Sequence, residues 1–434
     1  NKKKITEIGI NSPHSVTIPG AVHAWFSMHK KYGKLDFEQL FINAEKYARD
    51  GYPVHEVAAV SWNNNLNKIL NDQNSKKIFS KNGKPFGFGE IHQNIQLADT
   101  LKSIAKNNIK DFYQGYIAED IVNSLREVGG VQTVEDFSNQ KTIFSNSIFS
   151  KYNEKCIHQC PPNGPGITVL IMMGILQNFD FRNINPMSIK RFHLQAEATK
   201  LAFEAREKIV GDPKFNNIDY TFLYSNEFIK DLSSKISFEK CYNPTNFNIT
   251  AHPETIYLTV VDKDLNAVSL INSICFPFGS GISTKNTGIL LHNRGVNFRI
   301  EENHPNNIDS YKRPLHTIIP GLVTNNKNEA ILSYGVMGGQ YQPVGQSHLL
   351  QNLFDFGLNV QESIDFPRAF QLRNMYKFEK TFPNEILNGL SKIGHNVKYS
   401  EEPHGGGQAI FIDRKKGVLN GGSDSRKDGS AIGY

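Results

Sequence analysis

The feature that most constrains the fold is a change of character partway along the 434-residue chain. Helical patterns dominate up to about residue 214, and a stretch rich in Asn and Ser then reads as loop. Strand-forming residues begin abruptly at Thr255: 255–261 and 267–274 are β-rich, and 262–266 carries turn residues. This predicts a hairpin whose first residue is Thr255. Helices first and strands later predict an α+β fold in which helices pack on sheets.

Several segments show apolar residues at helical spacing. They are 21–32, 37–49, 91–105, 117–125 and 187–210, with more helix expected after Val344. The pattern of 187–210 is the strongest, because it is rich in alanine and ends at Gly211-Asp212-Pro213. Nothing in these helices by itself indicates a function.

Composition narrows the class of protein. Hydrophobic residues make up 39% and charged residues 21%, which is typical of a folded chain with a sizeable core. The net charge of +6 is mild for this length and slightly favours anionic small molecules, without indicating a nucleic-acid partner. No apolar run approaches the roughly 18 residues that span a membrane, so we expect no transmembrane segment.

The ends of the sequence leave the compartment open. No secretory leader is visible, and the chain begins with Asn1 rather than Met, as a fragment or a processed form would. Cytoplasmic and exported locations are both compatible with this pattern.

The four cysteines, Cys156, Cys160, Cys241 and Cys275, are best interpreted as free thiols. Cys156 and Cys160 are close in sequence, but His158 alone does not complete a metal-ligand set. We therefore expect neither a metal nor another cofactor.

A series of short sequence motifs follows one another along nearly the whole chain. They are Pro19-Gly20-Ala21-Val22, Tyr32-Gly33-Lys34-Leu35, Gly51-Tyr52-Pro53-Val54, Phe112-Tyr113-Gln114-Gly115, Pro161-Pro162-Asn163-Gly164, the run from Glu254-Thr255 to Val268-Ser269, Lys312-Arg313-Pro314-Leu315, Gly338-Gly339 and Ser423-Asp424-Ser425-Arg426. In this order they resemble the γ-glutamyltransferase family of N-terminal-nucleophile hydrolases. That family cleaves its own precursor at the start of such a strand.

The resemblance implies a four-layer αββα sandwich, with two sheets between helical layers. Residues 1–254 would form an N-terminally truncated part of the large subunit and 255–434 the small subunit, both in one domain. It also implies that the precursor cuts itself between Glu254 and Thr255. The family's N-terminal region, which normally carries an arginine for the glutamyl α-carboxylate, has no counterpart in the sequence from Asn1 onward, and the sequence leaves open whether the protein has it.

Residue chemistry agrees with Thr255 as nucleophile. A threonine hydroxyl attacks poorly until a base takes its proton. Cleavage frees the α-amine of Thr255, whose ordinary pKa of about 7.7–8.0 suits a general base near neutral pH. The first residue of a buried strand would hold it rigidly.

The other roles follow from the resemblance. The backbone N–H groups of Gly338 and Gly339 would bind the oxyanion, and Ser273 would hydrogen-bond the nucleophile. Thr317 and His316 fall on two residues that bind the substrate carboxylate. We rank His316 below Thr317, because a lone histidine is more often structural.

Three departures from the family pattern bear on specificity. Asn297 stands where an acidic residue normally holds the substrate α-amino group, Arg294 adds a positive charge nearby, and Cys275 replaces an asparagine. An ammonium group beside an arginine is disfavoured, whereas a carboxylate is favoured and can be bound bidentately. The phrase around Arg294 is similar to a branch of the family that includes acylases. The alternative is a purely structural role, in which Arg294 forms an ion pair with Glu301 or Glu302 and does not touch the substrate.

Three functions remain open from the sequence. The first is a γ-glutamyl hydrolase or transferase for glutathione-like peptides, with water, an amino acid or a peptide as acceptor. The second is an acylase for dicarboxylic amides such as glutaryl amides. The third is an unprocessed, inactive homologue with a binding role. The expected binding partner is a small γ-glutamyl or dicarboxylic amide. The two subunits of one precursor are expected to associate with each other, with a homodimer of such pairs as a further option.

Overall fold

The computed structural model describes residues 7–107, 109–244 and 255–434. The chain forms two compact units, each built from two stretches of sequence. The first unit is Asn1–Phe144 with Ile274–Val296, and the second is Ser145–Ser273 with Asn297–Tyr434. Each unit has an apolar core of its own.

The first unit is mainly helical. Its helices are α1 (Ala21–Tyr32), α2 (Ile42–Asp50), α3 (Glu56–Asn64), α4 (Leu66–Leu70), α5 (Gln73–Phe79), α6 (Ile95–Asn107), α7 (Lys110–Gln114), α8 (Tyr116–Glu127) and α9 (Val134–Ser138). Strands β1 (Tyr52–Pro53) and β2 (Ile91–His92) pair antiparallel, and 3₁₀ helices cover Pro13–Ser15 and Phe37–Phe41. Ile282 and Leu291, from the second stretch, join the core.

The second unit combines sheets and helices. Its strands are β3 (Ile148–Tyr152), β4 (Lys155–Gln159), β5 (Ile256–Val261), β6 (Ala267–Asn272), β7 (Gly321–Thr324), β8 (Ala330–Met337), β9 (Ala369–Leu372), β10 (Met375–Phe378), β11 (Val397–Tyr399), β12 (Gly406–Asp413) and β13 (Val418–Ser423). Its helices are α10 (Gly166–Gln177), α11 (Ile189–Ile209), α12 (Asn226–Ser234), α13 (Gln342–Phe354), α14 (Val360–Asp365) and α15 (Asn384–Ile393). Short 3₁₀ helices cover Tyr220–Tyr224, Gly339–Tyr341 and the segment Arg294–Asn297 at the boundary of the units.

Layers in the second unit follow from the two faces of β8. This strand lies inside a six-stranded sheet of order β13-β12-β8-β7-β4-β3, while β5 and β6 form a separate antiparallel pair. Ser333 faces that pair and lies 2.5 Å from the Thr259 hydroxyl. Val336 points to the opposite face, where a Cβ added to Gly345 of α13 would lie 2.7 Å from it. The hairpin, the large sheet and a helical layer are therefore stacked in that order.

Most of the predicted elements are confirmed. The β5–β6 hairpin has the expected turn, and β5 begins at Ile256, one residue after Thr255. Helices α1, α8 and α11 match their predictions to within two residues at each end.

Two local predictions are corrected. The strand β5 was expected to be buried, but Ile256, Leu258 and Val260 are exposed and only the face of Tyr257 is buried. That face packs on the large sheet, where a Cβ added to Gly335 of β8 would lie 2.3 Å from the Tyr257 ring. The helix expected at 91–105 starts later, because Asn94 accepts a hydrogen bond from the Leu97 N–H and caps α6. None of the described helices combines the length and apolarity needed to cross a bilayer.

Candidate active site

Thr255 lies at the open end of the β5–β6 hairpin and is 7% exposed. The last pair of the ladder joins Ile256 to Asn272, so the same register sets Thr255 opposite Ser273. Opposed residues of an antiparallel pair have Cα atoms about 4.5–5.5 Å apart. The hairpin therefore brings the predicted nucleophile and its predicted hydroxyl partner to one end.

The glycine pair follows β8 at a sharp turn. Gly338 has φ 126° and Gly339 has φ 58°, conformations that favour glycine. A Cβ added to Gly338 would lie 3.0 Å from Gly405 Cα. The turn continues through the 3₁₀ helix Gly339–Tyr341 into α13, and backbone N–H groups at a helix start are free to bind an anion.

Gln342, which the sequence analysis did not identify, connects these parts. Its Nε2 lies 3.4 Å from Thr255 Oγ1 and donates to the Thr317 carbonyl at 2.7 Å. Its Oε1 accepts from the Ile319 N–H at 3.2 Å. Because Gln342 follows Gly339 by three residues, it brings Thr255 and Thr317 to the start of α13. The sequence offered only the nearness of Gln342 to the glycine pair, which does not reveal these partners.

Thr317 and His316 lie in the extended segment before β7. Thr317 is fully buried, whereas His316 is half-buried. The Nδ1 atom of His316 lies 2.7 Å from the Pro314 carbonyl and 2.8 Å from Asn163 Nδ2. These partners give His316 a place in the local hydrogen bonding, and the ranking of Thr317 above it stays a prediction.

Asn297 also lies in the second unit and is largely buried. Its carbonyl accepts from Asn306 Nδ2 at 2.5 Å, and Asn306 Oδ1 accepts from the Leu315 N–H at 3.0 Å. Asn306 is 3% exposed. It therefore ties the segment of Asn297 to the segment of Thr317, a positioning role that the sequence analysis missed.

A buried charge cluster supports the glycine turn. Arg206 donates to the side-chain oxygen of Gln340 at 2.8 Å and to Glu207 at 2.8 Å, and Arg299 donates to Glu207 at 2.7 Å. Burial alone raises the pKa of Glu207, but attraction to Arg206 and Arg299 outweighs it and leaves that pKa below its usual value. Two cations thus share one carboxylate beside the turn, which leaves an excess of positive charge there.

Arg294 belongs to the first unit and is 4% exposed. Its backbone N–H donates to His292 Nδ1 at 3.0 Å. Burial, and then the charge of Arg294, lowers the pKa of His292 to about 3, so this imidazole is neutral. Cys275 in the same unit is buried with φ 82°. Glu301 and Glu302 are exposed residues of the second unit.

Within the described ranges, His193, Glu197 and His395 form a buried group whose ligand atoms lie within 4.8 Å of one another. The Lys200 ammonium donates to Glu197 at 2.9 Å and lies 3.4 Å from His395 Nδ1. His193 and His395 bond each other at 2.8 Å. A cation is thus already built into this group, and we interpret it as a hydrogen-bonded network and assign it no metal.

None of the four cysteines, all of which lie in the described ranges, forms a disulfide. Glu254, the residue before the predicted cut, lies outside the described residues. Thr255, Ser273, Asn297, Thr317 and the glycine pair all lie in the second unit.

Comparison with known proteins identifies relatives along the whole chain. A family model described as Gamma-glutamyltranspeptidase matches residues 1–434. The chain is 32% identical over 440 residues to the glutathione hydrolase-like YwrD proenzyme of Bacillus subtilis, covering 100% of this chain and 83% of that protein. It is 30% identical over 436 residues to the glutathione hydrolase proenzyme of Escherichia coli, covering 96% and 75%.

A solved structure agrees with this assignment. The cephalosporin acylase of Bacillus halodurans superimposes with a TM-score of 0.93 at 34% identity, covering 99% of this chain and 81% of the acylase. This similarity confirms the predicted α+β N-terminal-nucleophile hydrolase fold.

Proposed function

This chain belongs to the gamma-glutamyltranspeptidase family, and on that premise we propose that Thr255 is its nucleophile, released by cleavage of the Glu254–Thr255 bond. The chain is an enzyme of the hydrolase and acyltransferase type. Its main substrates in this proposal are γ-glutamyl amides such as glutathione, as the names of its relatives suggest. The observation that carries the proposal is the buried Thr255 hydroxyl, held against the first residue of the helix that follows Gly338-Gly339.

The proposed reaction begins once the cut has freed the α-amine of Thr255. The neutral amine takes the hydroxyl proton while Oγ1 attacks the amide carbonyl carbon. Backbone N–H groups of Gly338 and Gly339 bind the resulting oxyanion, a contribution of about 3–4 kcal/mol per donor. The intermediate then collapses, and the departing amine takes the proton from the α-ammonium. Water or an acceptor amine next attacks the ester and restores Thr255.

Two products of the cut, 1–254 and 255–434, would remain together as large and small subunits. The second unit supports this, because its core combines α10, from before Thr255, with β8, from after it. Mass measurement under native conditions would show whether the two chains stay associated and whether two such pairs form a dimer.

A second candidate activity is hydrolysis of dicarboxylic amides such as glutaryl amides. Two observations favour it: Asn297 lacks the charge that would hold an α-ammonium, and the cephalosporin acylase is similar in sequence and in fold. Arg294 is the proposed ligand for the far carboxylate of such a substrate. Chromogenic γ-glutamyl and glutaryl amides, compared by kcat/KM, separate the two activities.

The maturation step has a direct test. Wild-type protein should give two bands on a denaturing gel, with Thr255 at the N-terminus of the smaller one, and Thr255→Ala should remain a single chain without activity. Splitting of Thr255→Ala between Glu254 and position 255 would refute the mechanism. A wild-type protein that stays whole and hydrolyses neither amide would instead support the inactive homologue.

A further inference from the structure

The side-chain amide of Gln342 is completely buried, and all of its polar atoms face partners in the proposed active site. Its carbonyl oxygen accepts from the Ile319 N–H at 3.2 Å. Its nitrogen lies 2.7 Å from the Thr317 carbonyl oxygen and 3.4 Å from Thr255 Oγ1.

These partners fix which way the amide faces. The Ile319 N–H is a donor only, so it requires the amide oxygen, and the Thr317 carbonyl is an acceptor only, so it requires the amide nitrogen. The second N–H of Gln342 therefore points toward Thr255 Oγ1. Oγ1 of Thr255 is thus placed to accept from Gln342.

We infer that Gln342 is a further catalytic residue, which donates a hydrogen bond to Thr255 Oγ1 as that oxygen gains negative charge. The inference rests on the proposed function. During acylation the hydroxyl proton passes to the α-amine while the Oγ1–carbon bond forms, and Gln342 stabilises the partial charge on Oγ1. During deacylation the same bond breaks, and Oγ1 recovers its proton from the α-ammonium. Gln342 itself transfers no proton.

The length of the contact fits this role. A distance of 3.4 Å is long for a resting hydrogen bond. Hydrogen bonds to an oxygen that carries charge are shorter and stronger, and catalytic contacts often tighten only as the reaction proceeds. Gln342 therefore favours the transition state more than the resting enzyme, which affects kcat more than KM.

One helical turn later, Gln346 provides a matched control. It is also completely buried, its nitrogen donates to the Ile319 carbonyl, and its oxygen accepts from Gln159 Nε2 at 2.8 Å. Gln342 and Gln346 thus both hold the segment around Ile319 against α13. Gln342 additionally places its amide nitrogen 3.4 Å from Thr255 Oγ1.

The test compares Gln342→Met with Gln346→Met, since methionine has a similar volume without the amide. Both variants should lose similar amounts of thermal stability. On the processed enzyme, Gln342→Met should lower kcat roughly ten- to a hundredfold with KM within about twofold of wild type, and Gln346→Met should change kcat less than about threefold. Self-cleavage of the newly made Gln342→Met chain should slow as well. If that variant does not fold, Gln342→Glu serves instead, because it keeps the acceptor for Ile319 and removes the donor to Thr255.

Several outcomes would overturn the inference. Equal loss of kcat in the two methionine variants would make Gln342 a brace like Gln346, and an unchanged kcat or a rise in KM alone would remove it from the chemical step. These results differ from a failure of the proposed function itself, in which wild type and Gln346→Met would also remain uncut or inactive.

Discussion

Replacing Gly338 by alanine should separate the proposed oxyanion turn from the general stability of the second unit. Gly338 has φ 126° and ψ 26°, which a residue with a Cβ adopts only under strain. The new Cβ would also lie 3.0 Å from the backbone of Gly405. Gly405 cannot easily move away, because it is itself closely packed: a Cβ added to it would lie 2.5 Å from the Met337 carbonyl oxygen. Its φ of 62° is also a conformation that favours glycine.

The magnitudes differ for folding and for catalysis. Strain at one such position costs on the order of 1–3 kcal/mol of the free energy of unfolding. A turn that shifts to relieve the contact moves its N–H groups away from the oxyanion, and loss of one such donor lowers kcat by about 10²–10³. Gly338→Ala should therefore remain folded and become a very slow enzyme.

Gly417→Ala is the control for this experiment. Gly417 has φ 66° in the β12–β13 turn, and nothing lies within 4 Å of an added Cβ. That variant should lose about 1–2 kcal/mol of stability and keep its kcat. Urea unfolding gives the stabilities, and kcat is measured on the processed fraction with a chromogenic amide at saturation. A Gly338→Ala enzyme with kcat within threefold of Gly417→Ala would refute the oxyanion role of this turn.

Two further predictions concern specificity and pH. Arg294→Gln should lower kcat/KM on glutaryl amides roughly ten- to a hundredfold, the equivalent of about 1.5–3 kcal/mol of transition-state stabilisation. Arg294→Gln combined with Asn297→Asp should shift the preference toward γ-glutamyl amides. An equal loss on both substrates would mean that Arg294 supports the fold and does not select the substrate. Burial lowers the pKa of His292 and His395 to about 3 and of His404 to about 4, so the folded state binds fewer protons than the unfolded state, in which histidine has a pKa of about 6.5. Stability should be complete above that value and fall as pH drops below it, by about 1.4 kcal/mol per histidine at pH 5.5. Equal urea midpoints at pH 8 and pH 5.5 would contradict this, and His395→Gln should show a smaller decrease than wild type.

The hairpin at Thr255 could be predicted because its determinants are local. Asp262 accepts hydrogen bonds from the N–H groups of Asp264 and Asn266, so the turn is encoded within five residues. Helix α11 was predictable for a similar reason: alanine-rich sequence begins and ends between recognisable breakers. The family resemblance then supplied the glycine pair and Thr317, which no local pattern distinguishes from an ordinary turn and an ordinary buried threonine.

The rest depends on contacts between distant parts of the chain. Gln342 is 87 residues from Thr255 and 25 from Thr317, and nothing near it in sequence reveals either partner. In the six-stranded sheet, β4 pairs with β7, although about half of the second unit's sequence lies between them. Helix α10 is apolar on every side, so its sequence shows no period from which to recognise a helix.

The shared core of the second unit has a consequence for the lifetime of the enzyme. Leu170 of α10 and Leu332 of β8 lie in one apolar cluster, on opposite sides of the proposed cut. Before the cut, unfolding and refolding involve one molecule. Afterwards the unfolded state consists of two separate chains, which gain translational freedom and must find each other again at a rate that falls with dilution. Folding therefore takes place in the precursor, and the half-life of the mature enzyme is set by its rate of unfolding.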